Sequence, residues 1–211
     1  MSINKREKDM CLLVGASDFY LKEDFALPRA YIIACDGGYE HLVSRSILPD
    51  AVIGDFDSLG HIPDFAGVEI LPRVKDDTDI FYAAKKAFDM GYRKFYLCGC
   101  AEGERAEHAC ANISVMLYLS RRGGECIMEG KSRYYRVISG KSKLVFSHNK
   151  GYFSAFALSE EVAGVTLRGF EYELCKDKLR ADVPLGVSNS FMSDICEVEI
   201  EKGDLLLIWE K

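Results

Sequence analysis

Ala30-Tyr-Ile-Ile-Ala-Cys35 is a short, wholly apolar run that stops on Asp36-Gly37-Gly38. Such a run reads as a strand covered on both faces, which is the mark of a parallel sheet. The form recurs at Ala51-Val-Ile53, which passes into Gly54-Asp-Phe-Asp-Ser58, and a third acidic group follows in Lys75-Asp-Asp-Thr-Asp79. Six carboxylates (Asp36, Asp55, Asp57, Asp76, Asp77, Asp79) therefore fall at the ends of apolar runs, each group beside glycine, serine or threonine. Residues just past the carboxyl ends of parallel strands face the ligand crevice of an open α/β sheet. Acids gathered there repel one another unless a cation sits among them. Mg²⁺ suits all-oxygen donors and commonly arrives with a phosphate substrate, so the pattern points to metal-assisted phosphoryl chemistry.

The rest of the amino-terminal half agrees with a layered α/β domain. Met10 to Val14, Val68 to Leu71 and Lys94 to Leu97 complete the set of expected strands. Ile80, Ala83, Ala84, Ala87 and Phe88 follow helical spacing and predict a helix over 79–90, with Asp77 or Thr78 as its cap and Gly91 at its end. A second helix is expected over 107–122, with Ala109, Ile113, Met116 and Leu117 inward, and Tyr39 to Ser46 looks helical. Alternation of this kind predicts a mostly parallel sheet with helices on its faces. From Glu125 the pattern changes to closely spaced strand-like runs: Cys126 to Met128, Tyr134 to Ile138, Lys143 to Phe146, Tyr152 to Leu158, Val165 to Leu167, Glu171 to Leu174 and Glu197 to Trp209. Gly, Asn, Lys and Asp turns separate them, which predicts a small antiparallel sandwich or barrel. The expected division is 1–125 for the α/β domain and 126–211 for the β domain, with Trp209 in the core of the last strand.

Charge and cysteine usage limit the function classes. Lys and Arg number 27 against 33 Asp and Glu, net −6, which argues against nucleic acid or an anionic membrane as partner. The 8 cysteines contain no Cys-x-x-Cys and mostly sit in apolar runs, where the thiol acts as a small hydrophobe. Reduced thiols, a charged segment Ser2 to Asp9 without an apolar signal core, and no run of membrane-spanning length imply a cytoplasmic protein.

Two further segments carry candidate chemistry. Gly99-Cys-Ala-Glu-Gly-Glu-Arg-Ala-Glu-His108 joins a strand to a helix but lacks the Gly-Lys-Ser/Thr of a P-loop. Its Arg105 is suited to a bidentate phosphate contact, and Glu107 and His108 follow it. Gly186-Val-Ser-Asn-Ser-Phe191 sets small polar groups beside one aromatic ring, a combination fit for a heteroaromatic ligand. In Asp55-Phe-Asp57 the two carboxylates, spaced i and i+2, would address one cation if the chain were extended there.

In identity, order and spacing, Asp36-Gly-Gly38, Pro49-Asp50 with Gly54-Asp-Phe-Asp-Ser58, Lys75-Asp-x-Thr-Asp79, the Gly/Arg/acid-His loop and Gly186-Val-Ser-Asn189 resemble the thiamine pyrophosphokinase family. The resemblance covers nearly the whole chain. It implies a Rossmann-like α/β domain followed by a β-sandwich domain, and Mg²⁺-dependent transfer of pyrophosphate from ATP to the thiamine hydroxyl, giving thiamine diphosphate and AMP. It also implies roles for individual residues. Asp55, Asp57 and Asp79 are expected at the Mg²⁺ and triphosphate site, with Arg105 among the catalytic groups. Asp36, Gly37, Gly38, Lys75, Asp76, Thr78, Glu107 and His108 are expected around the nucleotide and substrate. Ser188, Asn189 and Phe191 resemble the thiamine-side wall, which the family builds across a homodimer. The loop departs from the family's usual Gly-Gly-Arg-x-Asp-His, since Glu104 and Glu107 replace glycine and aspartate. Two rivals are a pyrophosphokinase acting on another alcohol, such as a hydroxymethyl-pterin, and a nucleotide- or thiamine-binding module without turnover.

Overall fold

The computed structural model describes residues 8–57, 59–103 and 105–211, so Ser58 and Glu104 of the motifs above lie outside the described residues. The chain divides into two compact units, Met1–Lys131 and Ser132–Lys211.

Among the described residues, the first unit is built on six parallel strands: β1 (Met10–Val14), β2 (Ala30–Cys35), β3 (Ala51–Gly54), β4 (Val68–Ile70), β5 (Lys94–Cys98) and β6 (Glu125–Glu129). Their spatial order is β6-β5-β1-β2-β3-β4. All six residues of β2 are buried, as a strand covered on both faces requires. The chain steps outward from β1 through β2 and β3 to β4, then returns to the other side of β1 as β5. That reversal between β1 and β5 is the place where open α/β sheets bind ligands. The first unit ends at Lys131, beyond the division expected between 125 and 126, because β6 pairs in parallel register with β5. A strand of five residues cannot announce its pairing direction from its own composition.

Among the described residues, three α-helices accompany the sheet: α1 (Gly38–Val43), α2 (Asp79–Asp89) and α3 (Ala106–Ser120). Thr78 caps α2, its Oγ1 accepting from the Phe81 amide at 3.2 Å, and Gly91 adopts φ +100° just past the other end. Ile80, Ala83, Ala84 and Ala87 are the buried stripe, as helical spacing predicts. In α3 the buried stripe is Asn112, Val115, Met116 and Leu119, rotated from the expected face. The reason is Asn112, a polar residue at the centre of the inward face, whose Nδ2 donates to the Cys100 carbonyl at 2.8 Å.

The second unit holds two antiparallel sheets. One joins β7 (Arg133–Ser139), β9 (Tyr152–Ala157), β12 (Asn189–Ser190) and β14 (Asp204–Glu210) in the order β12-β9-β14-β7. The other joins β8 (Ser142–Ser147), β10 (Glu161–Arg168), β11 (Leu174–Arg180) and β13 (Ile195–Ile200) in the order β11-β10-β13-β8. Side chains of both sheets share one core, in which Phe153, Val162, Leu167, Val198, Leu205 and Leu207 are all but inaccessible to solvent. Trp209 lies in that core, edge-on to Phe146 with ring centroids 5.2 Å apart. The unit is a sandwich. The expected strand at Glu171 to Leu174 instead begins at Leu174 and runs to Arg180. Leu-Cys-Lys-Asp-Lys-Leu-Arg hides its period because it is an edge strand with two register shifts against β10, and Lys176 takes φ +53°.

Candidate active site in the first unit and a second cavity

A crevice of about 590 Å³ opens past the carboxyl ends of β1, β2, β3 and β5. Gly15, Ala16 and Ser17 form one wall at the strand-order reversal, facing Gly99 across it. The two loops touch through Ser17 N–H to the Gly99 carbonyl at 3.0 Å, and a Cβ on Gly15 would collide with that same carbonyl. Glycine is a steric requirement here rather than a flexible spacer. Cys35 lines the floor, and burial pushes its thiol well above the ordinary range.

Asp55 and Asp79 meet at one cation. Lys75 Nζ lies 2.7 Å from Asp55 Oδ2 and 3.1 Å from Asp79 Oδ1, with all three side chains mostly enclosed. The hydrogen bond from Lys75 is the main reason the Asp55 carboxyl is held below the usual range. Asp79 goes the other way, because burial raises it more than Lys75 lowers it. Burial alone would lower Lys75, but its bonds to the two carboxylates leave it raised. Asp79 Oδ1 is buried, and the Lys75 ammonium 3.1 Å away is the cation it already faces. A buried carboxylate oxygen needs such a partner.

Asp57 behaves differently from the extended-chain expectation. Phe56 takes φ +57° with its ring buried, so the chain turns between the two acids instead of running straight. Asp55 faces Lys75, while Asp57 Oδ2 pairs with Arg73 Nε at 2.7 Å. No group of three or more His, Cys, Asp or Glu is arranged as a ready metal cage among the described residues.

Of the residues predicted from sequence, Asp36, Asp55, Asp57, Lys75, Thr78, Asp79, Arg105 and His108 all line the crevice. Asp77 lines it as well and pairs with Lys85, whereas Asp76 is exposed and outside the lining. Gly37 and Gly38 do not line it. A Cβ on Gly38 would collide with the Val14 carbonyl, so this glycine serves the packing of α1 against the end of β1. Glu107 is exposed, and its Oε1 accepts from Arg105 Nε at 2.8 Å, which holds its carboxyl below the usual range. Sequence reasoning passed over Gly15 to Ser17, Arg73 and Asn112. A glycine directly after the apolar run of β1 was the available signal for the first; nothing in the spacing marks the other two.

In the second unit a separate cavity of about 450 Å³ is lined by Leu167, Tyr172, Leu174 and the segment 185–189. Ser188 stands there in the left-handed region, φ +58°, with its amide donating to Ser154 Oγ at 3.1 Å. Asn189 is buried and spends its amide on backbone. Its Nδ2 donates to the Tyr172 carbonyl at 2.7 Å, and its Oδ1 accepts from the Tyr172 amide at 2.9 Å. Phe191 is not part of this lining and packs among Phe146, Phe153 and Phe170.

Comparison with known proteins covers both units. Residues 25–128 match the family model described as thiamin pyrophosphokinase, catalytic domain, and residues 141–206 match thiamin pyrophosphokinase, vitamin B1 binding domain. Thiamine pyrophosphokinase of Bacillus subtilis (strain 168) is 26% identical over 183 residues, covering 83% of this chain and 85% of that protein. The crystal structure of thiamine pyrophosphokinase from Bacillus subtilis shares the fold with a TM-score of 0.80 at 22% identity, covering 96% of this chain and 99% of the other. The Candida albicans structure does so with a TM-score of 0.78 at 14% identity, covering 97% and 90%.

Proposed function

The chain belongs to the thiamin pyrophosphokinase family, and we propose that it transfers pyrophosphate from ATP to the hydroxyl of thiamine, giving thiamine diphosphate and AMP. The observation that carries the site assignment is the convergence of Asp55 and Asp79 on one cationic position in the crevice past the strand ends. The nucleotide occupies this crevice. The thiamine hydroxyl oxygen attacks the β-phosphorus, an O–P bond forms, and the bond from the β-phosphorus to the α,β-bridging oxygen breaks. AMP leaves with that electron pair, and the hydroxyl gives up its proton. Positioning and charge neutralisation supply most of the catalysis in reactions of this kind.

Asp55, Asp57 and Asp79 would hold Mg²⁺. The donors are all oxygen, the buried Asp79 Oδ1 already faces a cation in the Lys75 ammonium, and Mg²⁺ is commonly held by one or two carboxylates plus substrate phosphates. When bound, the ion neutralises charge on the phosphate oxygens. Lys75 keeps the two converging carboxylates charged and in place, and Arg105 reaches the phosphates or the acceptor from the opposite loop.

The cavity of the second unit is our candidate for the thiamine ring, with Ser188 at its edge and Asn189 fixing the Tyr172 backbone. Phe191 supports this wall from the core. We read the protein as a homodimer, on the exposed apolar side chains of Tyr172, Leu185, Met192 and Ile195 in that unit. The cytoplasm is the compartment we propose, all 8 cysteines being free thiols suited to reducing surroundings. Among the described residues no helix is long and apolar enough to cross a membrane.

AMP release from ATP, measured with and without thiamine and with and without Mg²⁺, tests the reading. Release that needs both is the expected result; release indifferent to thiamine would remove the assignment of acceptor.

A further inference from the structure

Among the described residues, three cationic side chains other than His108 line the crevice, each paired with a carboxylate. Lys75 is enclosed between Asp55 and Asp79. Arg105 is held by Glu107. Arg73 is the third, and its side chain is 81% exposed while its Nε touches Asp57. An exposed pair of this kind contributes only about 0–1 kcal/mol to a fold, so Arg73 is not kept there by stability. Its backbone is nonetheless well placed. The turn that carries it is pinned at its start by Leu71, buried and donating its amide to the Gly54 carbonyl at 2.9 Å, and at its end by the Thr78 cap.

The partner of Arg73 is also the informative point. Asp57 is a carboxylate that an arriving divalent cation would claim, and that exchange releases the guanidinium at the rim of a crevice about to receive a polyanion. A guanidinium presents parallel N–H donors that match two phosphate oxygens, which an ammonium cannot do. We propose that Arg73 contacts the triphosphate of the nucleotide, moving from Asp57 to the phosphate oxygens when the cation and nucleotide bind. The inference rests on the reading of this crevice as the nucleotide site.

The test uses the purified full chain, with R73Q and R73K beside wild type. Calorimetric binding of ATP, inorganic tripolyphosphate and adenosine is measured in Mg²⁺ buffer without thiamine. R73Q is expected to bind ATP and tripolyphosphate about tenfold more weakly, the loss expected for a charge-assisted pair, with R73K between it and wild type. Adenosine affinity and melting temperature stay unchanged. In turnover, the KM for ATP rises while the KM for thiamine does not. Tripolyphosphate affinity of R73Q within about twofold of wild type, a change too small for a charge-assisted contact, overturns the proposal. The two readings separate cleanly. Wild-type protein that makes no AMP with thiamine, while R73Q still loses tripolyphosphate affinity, sinks the acceptor and keeps the Arg73 contact. AMP formation with tripolyphosphate binding indifferent to Arg73 does the reverse.

Discussion

Lys75 Nζ donates to Asp55 Oδ2 at 2.7 Å across 20 residues of sequence, joining the loop after β3 to the loop before α2. The same ammonium reaches Asp79 at 3.1 Å, so one cation holds together two acids that would otherwise repel. Lys75→Met is expected to cost about 1–3 kcal/mol at pH 7, because it leaves two enclosed carboxylates facing each other. The sign with pH follows from the shifts. Asp55 is depressed, so its contribution is present above its unfolded value of 3.8 and lost as pH falls through its lower folded value. Lys75 is raised, so its contribution is complete below 10.5 and lost only above it. Asp79 is raised and works in the opposite sense, gaining stability as pH falls. The wild-type profile should therefore be nearly flat around neutrality, while the penalty of Lys75→Met shrinks as pH is lowered toward about 4 and the carboxylates take up protons. Urea unfolding at pH values of about 7 and 4.5 checks this, and an equal penalty at both would contradict it.

Asp57→Asn separates chemistry from stability. The Arg73–Asp57 pair is largely solvated, so its loss should change unfolding free energy by about 1 kcal/mol or less. AMP formation should fall by about 100-fold or more, the scale on which a lost electrostatic contact to a reacting phosphate is felt. Unimpaired AMP release in the folded variant would take Asp57 out of the site.

Asn112 offers a test of how the crevice wall is held. Its Nδ2 satisfies the Cys100 carbonyl, and both groups are buried. Asn112→Ala leaves that carbonyl without its donor, a loss of about 1–3 kcal/mol, and frees the loop that carries Gly99. A lower urea midpoint together with a raised KM for ATP is expected. A shifted midpoint with an unchanged KM would limit Asn112 to the fold.

Much of this was legible in the chain because burial leaves a plain signature. Ala30 to Cys35 reads as a covered strand since both its faces meet apolar partners, and the acids at strand ends stand out against such runs. Asp77 and Thr78 compete for the cap by residue type, and the Thr78 hydroxyl takes the position. What escaped depended on contacts between distant segments. Arg73 has no periodic or motif signal and matters only because the turn after β4 sets it beside Asp57. Asn112 looks like a break in an apolar stripe until the Cys100 carbonyl is placed opposite it. Phe56 defeated the extended-chain argument because its buried ring is accommodated by a left-handed backbone, which residue type alone would not suggest.

Asn189 tests the cavity of the second unit. Its amide makes a two-way clamp on the backbone of Tyr172, and its Oδ1 also accepts from the Ser190 amide at 2.9 Å. The side chain therefore positions the wall rather than presenting a polar group to a ligand. Asn189→Ala removes the clamp from a buried position and should cost about 2 kcal/mol or more. The KM for thiamine should rise while the KM for ATP holds, since the nucleotide crevice lies wholly within the first unit. Asn189→Asp keeps the accepted bonds but sets a buried carboxylate oxygen against the Tyr172 carbonyl, so it should lose at least as much thiamine affinity as the alanine variant. Equal effects of Asn189→Ala on both KM values would show that the cavity wall has no separate part in holding thiamine.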